Sequence, residues 1–183
     1  MNVQFQPYSE AQRPVWDAFV EAHPHAWPGH DSATIELERL RGHPSLSHLA
    51  LDAGGRVVAV IPLFLTHGRR ARLLRWRALV SGTSLRGGPL TDPGWSARDR
   101  DRFWEAWTQW LGALARGERI DEIRIAFPHV LGERPVAEVY GAFPLLAHGF
   151  RPSPNRTLMI DLAGLEGDLP ASYDKRCRNS IRQ

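Results

Sequence analysis

The stretch from Asp168 to Gln183 carries cationic side chains at helical spacing. Lys175, Arg178 and Arg182 are three and four residues apart, so a helix would place them on one face. Like charges on one helix face repel each other, and a bound anion would relieve that repulsion. This basic face therefore predicts binding of a nucleic acid, a nucleotide-sugar diphosphate or an anionic lipid, with a solvated surface as the alternative.

A second candidate is the loop from Ser81 to Gly94, which is rich in glycine and small polar residues. Gly87 and Gly88 would let the backbone approach a ligand closely, and Arg86 would supply a positive charge beside them. The stretch matches neither a Walker A loop nor a GxGxxG pattern. A phosphate cradle and a flexible loop with turn glycines are therefore both open interpretations.

Three of the eight histidines, His23, His25 and His30, lie in one short loop and suggest a metal site. No carboxylate or cysteine lies at ligand spacing nearby, so capping, turn formation and solvent exposure are favoured over metal binding. The single cysteine, Cys177, lies on the apolar stripe of the predicted last helix and is interpreted as a packed thiol. No GxSxG elbow is present, and the sequence assigns no catalytic residue.

Length and composition limit the classes of protein to which this chain can belong. The 183 residues are 43% hydrophobic and 23% charged, which predicts a soluble globular chain long enough to bury a core. All but one of the 23 cationic residues are arginine, which favours recognition of phosphate or carboxylate. The N-terminus has no signal-peptide pattern, and the longest apolar run, Val57 to Leu65, is too short to span a bilayer. We therefore expect a cytoplasmic protein.

Strands and helices alternate along the part of the chain that must position these groups. Residues 46–52 and 56–66 form a predicted β-hairpin around the turn Ala53–Gly55. Pro62 lacks an N–H and predicts a bulge or a break in the second arm, which leads into a basic turn at residues 67–70. The other predicted elements are strands at 3–8, 71–80, 120–127 and 156–162, and helices at 9–22, 31–40, 96–116, 135–148 and 168–183. The buried face of the first of these helices is expected to include Val15, and the apolar positions of the second include Leu40.

This order predicts an α/β (α+β) fold. Several strands are linked by hairpins, whereas a purely parallel sheet would need a helix between each pair of strands. The expected architecture is a mixed, mostly antiparallel sheet with helices on both faces.

Several stretches, in the same order along the chain, resemble FemAB-like proteins of the GNAT superfamily. A strand ending in Asp161–Leu162 leads into a helix that is similar to the family's K-x-x-RN-x-IR pattern. The matching residues of that helix are Lys175, Arg178, Asn179, Ile181 and Arg182. Three further stretches resemble the family's first helix and loop, its central hairpin and its loop before the long helix: Trp16–Ala26, Gly54–Thr66 and Arg86–Leu90.

The resemblance implies a GNAT-like N-terminal domain at residues 1–165 and, at 166–183, the opening helix of a second, missing GNAT-like half. It implies an acyl or aminoacyltransferase that acts on a cell-wall or polysaccharide precursor, such as the peptide stem of a peptidoglycan precursor. This chain alone is then expected to be inactive. The donor would be aminoacyl-tRNA or an acyl-CoA, with no tightly bound cofactor, and location at the inner face of the membrane would be compatible with a lipid-linked acceptor.

The resemblance also implies which residues meet the substrates. Those of the last helix would face the phosphates of a precursor or carrier, and those of the two loops would border the acceptor site. The first set is Lys175, Arg178, Asn179 and Arg182, and the second is His30, Arg86, Gly87 and Gly88.

Two alternatives stay open. One is a compact GNAT N-acetyltransferase that uses acyl-CoA, although an R/Q-x-x-G-x-G/A loop is not found and Arg86-Gly87-Gly88 is a poor substitute for it. The other is a module without catalytic activity that binds RNA or anionic lipid through the basic face of the last helix. The sequence does not determine the donor, the acceptor or the oligomeric state.

Overall fold

A β-hairpin lies at the centre of the described part of the chain. The structure is a computed structural model that describes residues 2–70, 74–82, 87–127, 130–131, 134–135 and 144–152. Strands β1 (Gln4–Pro7), β2 (His48–Leu51) and β3 (Val57–Ile61) pair antiparallel in that order. Asp52 closes the turn between β2 and β3, because its carboxylate accepts hydrogen bonds from the N–H groups of Gly54 and Arg56 at 2.9 and 3.0 Å. The predicted hairpin is confirmed.

The strand is interrupted at Pro62, as the missing N–H predicted. β3 ends at Ile61, and strand β4 (Phe64–Arg70) begins in a different sheet. Beside the interruption, the Ser47 hydroxyl accepts from the Leu63 N–H at 3.1 Å and donates to the Leu63 carbonyl at 3.3 Å. The Ser47 side chain therefore satisfies the Leu63 N–H, and the Leu63 carbonyl also accepts from the Leu46 N–H at 2.8 Å.

Two sheets result, and together they are mixed and mostly antiparallel, as expected. In the first sheet, strand β6 (Leu90–Thr91) pairs antiparallel with β3, inside a stretch that the sequence assigned to a loop. In the second, β4 pairs antiparallel with β5 (Leu74–Val80), and β5 pairs parallel with β7 (Glu122–Arg124). A short separate hairpin joins β8 (Val130–Leu131) to β9 (Arg134–Pro135).

Helices pack on both faces of the sheets, which confirms that part of the fold prediction. Helices α1 (Arg13–Glu21) and α2 (Ser32–Leu40) bury Trp16 and Ile35 in one core cluster with sheet residues such as Leu49 and Val60. Helix α3 (Ala97–Gly117) buries an aromatic stripe in a second cluster that includes Ala50 and Leu79. Leu49 and Ala50 are successive residues of β2 and belong to different clusters. Because successive strand residues point to opposite faces, the two clusters lie on opposite sides of the sheet. The stripe consists of Phe103, Trp104, Trp107 and Leu111.

The buried face of α2 differs from the face that the apolar residues predicted. Leu40 is 85% exposed, whereas Glu38 is fully buried. The helix buries positions 34, 35 and 38, which are neighbours at helical spacing, and so places a carboxylate inside. Glu38 is stabilised there by Arg41 at 3.5 Å and by His43 Nδ1 at 2.7 Å. The predicted burial of Val15 on α1 is also wrong, since half of its surface is exposed.

The starts of α2 and α3 are capped by side chains. Ser96 begins α3, and its hydroxyl accepts from the Asp99 N–H at 3.2 Å. The cap of α2 comes from α1, because the Asp17 carboxylate accepts from the N–H and hydroxyl of Ser32 at 3.3 and 2.9 Å. The predicted helix at 135–148 can be compared only at its two ends. It is wrong at its start, where Pro135 belongs to β9, whereas residues 144–148 are helical but form a 3₁₀ helix.

Candidate functional site

Two buried histidines join the loop at residues 23–30 to the segment at residues 87–91. His30 Nε2 lies 3.0 Å from the Gly88 carbonyl oxygen, and His23 Nε2 lies 2.7 Å from the Thr91 carbonyl oxygen. The first loop connects α1 to α2, and the second segment leads into β6. We call these two stretches the histidine-linked loops, and they form the candidate functional site.

The hydrogen-bond partners of His30 determine its tautomer. Its Nδ1 accepts a hydrogen bond from the Trp27 N–H at 3.0 Å, so the ring proton is on Nε2, which donates to Gly88. Burial lowers the pKa of His30 to about 4, against the opposing effect of the bond to the Gly88 backbone. His30 is therefore neutral at pH 7, and both of its ring nitrogens are already used.

His23 repeats this arrangement at the other end of the loop. Its Nδ1 accepts from the His25 N–H at 3.1 Å, which leaves the Nε2 proton for the Thr91 carbonyl. Burial again lowers the pKa of the imidazole. Because neither ring has a free nitrogen, these two histidines cannot serve as metal ligands in this arrangement. Across the described ranges, no group of three or more His, Cys, Asp or Glu side chains is arranged to hold a metal ion.

His25 differs from its two neighbours. Its ring lies in edge contact with the His23 ring, with 5.8 Å between the centroids. Its Nδ1 is buried and has no hydrogen-bond partner. Among the three histidines of this loop, His25 is thus the one whose Nδ1 makes no hydrogen bond, and its side chain is only partly buried.

The glycines of the site are required by packing. A Cβ atom on Gly87 would lie 2.6 Å from the Gly29 carbonyl oxygen, and one on Gly88 would lie 2.6 Å from the Phe127 ring. The structure thus brings Gly87, Gly88 and His30 together, but protein atoms occupy the space beside both glycines. A role for them in binding a ligand stays a prediction.

Ser81 fixes the start of the second loop at the point where β5 and β7 end. The Ser81 N–H donates to the Arg124 carbonyl at 3.1 Å, which continues the parallel pairing by one residue. Its buried hydroxyl accepts from the Ala126 N–H at 2.8 Å. The Gly87 N–H then donates to the Ser81 carbonyl at 3.0 Å, so both ends of the intervening stretch meet at Ser81.

Trp27 lies at the outer edge of the histidine-linked loops and is 40% exposed. The chain beside it is fixed, because the Trp16 indole N–H donates to the His30 carbonyl at 2.6 Å. The site thus combines an exposed aromatic ring, a ring nitrogen without a partner on His25, and a neutral, hydrogen-bonded interior. A site of this kind suits a substrate whose reacting part is uncharged.

Several predicted site residues lie outside the described residues. They are Arg86, Lys175, Arg178, Asn179 and Arg182. The predicted opening helix of a second half, residues 166–183, lies there as well. Their proposed roles, and the domain boundary at residue 165, stay predictions.

Sequence reasoning did not identify the linking role of His23 or the anchoring role of Ser81. Both depend on partners far along the chain, at Thr91 and Ala126. The local bond from the His25 N–H to His23 is the part that the His-Pro-His order could have indicated, since Pro24 favours a turn there. Within the described part of the chain, no helix is long and apolar enough to cross a membrane.

The fold is similar to those of solved acetyltransferase structures. An aminoglycoside antibiotic 6'-N-acetyltransferase, AAC(6')-Ih from Acinetobacter baumannii, matches with a TM-score of 0.52 and 15% identity over 89% of this chain and 100% of that chain. An acetyltransferase from Trypanosoma brucei matches with a TM-score of 0.51 and 14% identity over 88% and 100%. AAC(6')-IG from Acinetobacter haemolyticus matches with a TM-score of 0.50 and 14% identity over 88% and 98%.

These likenesses confirm the GNAT-like fold that the sequence resemblance predicted. At such low identity they show the fold alone. No family model matches the chain, and no curated protein does either. The FemAB-like specificity and the two-half organisation stay predictions.

Proposed function

We propose that this chain is an acyltransferase of the GNAT type, which moves an acyl group from an acyl-CoA thioester to an amine. The observation that carries the proposal is the shared fold with acetyltransferases over 88–89% of this chain and nearly the full length of each relative. Fold alone does not determine chemistry, and the histidine-linked loops provide the side chains that could take part in the reaction.

The reaction needs one proton acceptor and stabilisation of one oxyanion. The amine nitrogen attacks the thioester carbonyl carbon and loses a proton, the C–S bond breaks, and the leaving CoA sulfur takes up a proton. His25 is the candidate proton acceptor, because its imidazole is only partly buried and its loop is held in place by His23 and His30. Trp27 would contact the acceptor from the exposed edge of the same loop.

Gly87 and Gly88 are the described residues that bear on binding of the donor's phosphates. Gly87 and Gly88 are packed against Gly29 and Phe127, so this pair does not form an open pyrophosphate cradle. We therefore infer that these two glycines do not hold the phosphates of the donor. A minimal thioester such as S-acetyl-N-acetylcysteamine should then react measurably, although more weakly than acetyl-CoA.

Release of free thiol from acetyl-CoA tests the proposal, with amines that include an aminoglycoside as acceptors. We expect release that depends on the amine. The variant His25→Gln should lower kcat by roughly 100-fold or more, since general base catalysis contributes at least that factor. His148→Gln, in the 3₁₀ helix outside the histidine-linked loops, is the matched control and should retain activity. If no amine stimulates thiol release, the proposal is wrong.

A FemAB-like activity is the second candidate. It is favoured by the similarity of residues 175–182 to the K-x-x-RN-x-IR pattern. In that case the donor would be aminoacyl-tRNA and the acceptor a peptidoglycan or polysaccharide precursor, with Lys175, Arg178 and Arg182 facing its phosphates. Transfer of a radiolabelled amino acid from aminoacyl-tRNA to a precursor peptide, without any reaction of acetyl-CoA, would favour this candidate.

A further inference from the structure

The C-terminal end of helix α2 holds a histidine that the proposed acyl transfer does not use. Gly42 follows the helix with a φ of 81°, and its N–H donates to the Arg39 carbonyl at 2.9 Å. The next N–H, that of His43, donates to the Glu38 carbonyl at 3.0 Å. These two bonds form a Schellman motif, which is a common way for a helix to end at a glycine. The motif fixes the backbone of His43 beside the last turn of α2.

The side chains of Glu38 and His43 are joined as well. His43 Nδ1 lies 2.7 Å from Glu38 Oε2, and Arg41 Nη1 lies 3.5 Å from Oε1. The Glu38 side chain is fully buried, and an ionised carboxylate in such a place needs partners of this kind. Because a carboxylate only accepts hydrogen bonds, the Nδ1 atom of a neutral His43 ring carries the proton. We call this carboxylate–imidazole pair the α2 dyad.

The second ring nitrogen of His43 is free to react. The imidazole is 29% exposed, and within the described part of the chain Nε2 is neither buried nor hydrogen-bonded. A ring that is protonated on Nδ1 keeps a lone pair on Nε2. A buried carboxylate on the Nδ1 side orients the ring and stabilises the positive charge that the ring acquires when its lone pair is used. The α2 dyad therefore has both parts of a nucleophilic site.

The other described histidines lack one part of this arrangement. Both ring nitrogens of His23 and His30 are used in hydrogen bonds. His48 is buried, and its Nδ1 lies 2.8 Å from a backbone carbonyl oxygen. His67 on β4 is exposed but forms no ion pair with a described carboxylate. Among the histidines that the structure describes, His43 is the one whose imidazole is paired with a carboxylate.

We propose that the α2 dyad is a nucleophilic site that takes up an acyl group from an activated ester or thioester. His43 Nε2 attacks the acyl carbon, the bond to the oxygen or sulfur of the leaving group breaks, and that group departs with the electron pair. The ring keeps its Nδ1 proton and becomes a cationic acyl-imidazolium, which the Glu38 carboxylate stabilises. Water then attacks the acyl carbon. The carboxylic acid is released, the neutral ring is restored, and one proton goes to the solvent.

The place of the dyad favours an uncharged acyl compound over an anionic phosphoryl compound. The C-terminus of a helix carries the negative end of the helix dipole, and the charge of Glu38 lies at the same end of α2. Both would repel an approaching phosphate. In this chemistry Glu38 is a positioning residue, because it acts through His43. The inference goes beyond the acyltransferase proposal and does not depend on it, since no amine and no CoA are needed.

Diethyl pyrocarbonate, an activated acyl compound that leaves a stable adduct on imidazole, tests the proposal on the full-length wild type. Mass spectrometry after short exposures gives the rate of labelling at each histidine. His43 should react at least about tenfold faster than His67, since a positioned imidazole contributes more than that factor in catalysis. His67 is the matched internal control, because it is more exposed but has no carboxylate partner in the described ranges. Equal rates at the two residues would overturn the proposal.

Turnover is measured with p-nitrophenyl acetate, through the release of nitrophenolate. The variant His43→Gln keeps an N–H donor for Glu38 and removes the nucleophile, so hydrolysis should fall by about tenfold or more. His67→Gln removes an exposed histidine elsewhere and should retain the wild-type rate. Circular dichroism confirms that both variants are folded, and the labelling of the wild type decides the matter if His43→Gln is not. Unchanged hydrolysis in a folded His43→Gln variant would overturn the proposal.

Glu38→Gln separates positioning from a structural role. An amide oxygen can still accept the Nδ1 proton, but the charge that stabilises the acyl-imidazolium is lost. Labelling of His43 should therefore become slower, while labelling of His67 stays the same. A merely structural role of Glu38 gives the opposite result, because a loosened helix end would expose His43 and speed its labelling. Faster or unchanged labelling of His43 would show that Glu38 does not assist a nucleophile, and the dyad would be refuted.

Discussion

The histidine-linked loops and the hairpin of β4 and β5 hold ionisable side chains in opposite settings. In the loops, burial keeps His30 uncharged, and every ring nitrogen of His23 and His30 is used in a hydrogen bond. In the hairpin, arginines that cannot lose their charge lie opposite each other in the strand register. The first arrangement stabilises the fold, whereas like charges at directly paired positions destabilise a sheet.

The largest effect is expected from removing one of the linking histidines. The substitution His30→Leu leaves the Trp27 N–H and the Gly88 carbonyl without partners in a buried place. The free energy of unfolding should fall by roughly 2–4 kcal/mol, as measured by chemical denaturation. His25→Leu is the control, because the His25 Nδ1 makes no hydrogen bond, and it should cost less than about 1 kcal/mol. Equal losses in both variants would contradict the linking role.

Acidification tests the same link without a mutation. The pKa of His30 is lowered from 6.5 to about 4, so the unfolded chain binds more protons than the folded chain between those pH values. The contribution of His30 to stability is therefore complete above pH 6.5 and is lost as the pH falls towards 4, by on the order of 3 kcal/mol. Burial lowers the pKa of His23 in the same direction. Denaturation curves between pH 7 and pH 4 measure this loss, which should be much smaller in His30→Leu.

The close approach of the two loops can be tested through glycine. The substitution Gly87→Ala would place a Cβ atom 2.6 Å from the Gly29 carbonyl oxygen, and backbone must move to accommodate it. We expect a loss of about 2 kcal/mol of unfolding free energy. Gly112→Ala is the matched control, because its nearest atom is the flexible Arg116 side chain at 3.6 Å and it lies within α3. There alanine should stabilise the protein by about 0.5–1 kcal/mol, which gives the two substitutions opposite signs.

The smallest effect is expected in the hairpin of β4 and β5. There a substitution should raise the free energy of unfolding, whereas loss of His30 should lower it. Arg75→Gln removes one of two like charges that the register places opposite each other. Unfolding free energy at low salt should rise by a few tenths of a kcal/mol, and the gain should vanish near 1 M salt, where charges are screened beyond about 3 Å. A loss of stability at low salt would show that the hairpin arginines support the fold, and the contrast between the two regions would disappear.

Local features of the sequence predicted much of the fold. The Ala53–Gly55 turn, the interruption at Pro62 and the long helix predicted at 96–116 each depend on residues close together in the chain. The short strand β6 was not predicted, because it has two residues and exists through its pairing with β3. On α2, apolar periodicity favoured burial of Leu40, but Glu38 is buried through its contacts with Arg41 and His43.

The candidate site was predictable only in part, for a related reason. Glycine at positions 87 and 88 indicated a close approach, but not that Gly29 and Phe127 would be the neighbours. The hydrogen bonds of His30 and His23 span 58 and 68 residues, so no local pattern could indicate them. The tautomers and the lowered pKa values follow from those partners and from burial, and they become visible only in the folded chain.

The interruption at Pro62 affects how the protein unfolds locally. No continuous strand runs from β3 into β4, and the segment at residues 44–47 carries hydrogen bonds that join the two sheets, including those of Leu46 and Ser47 with Leu63. Proteins exchange their amide hydrogens in cooperative blocks that follow such boundaries. The first sheet and the β4–β5–β7 sheet would then exchange as two blocks with separate protection, and the Ser47 hydroxyl would couple one block to the other.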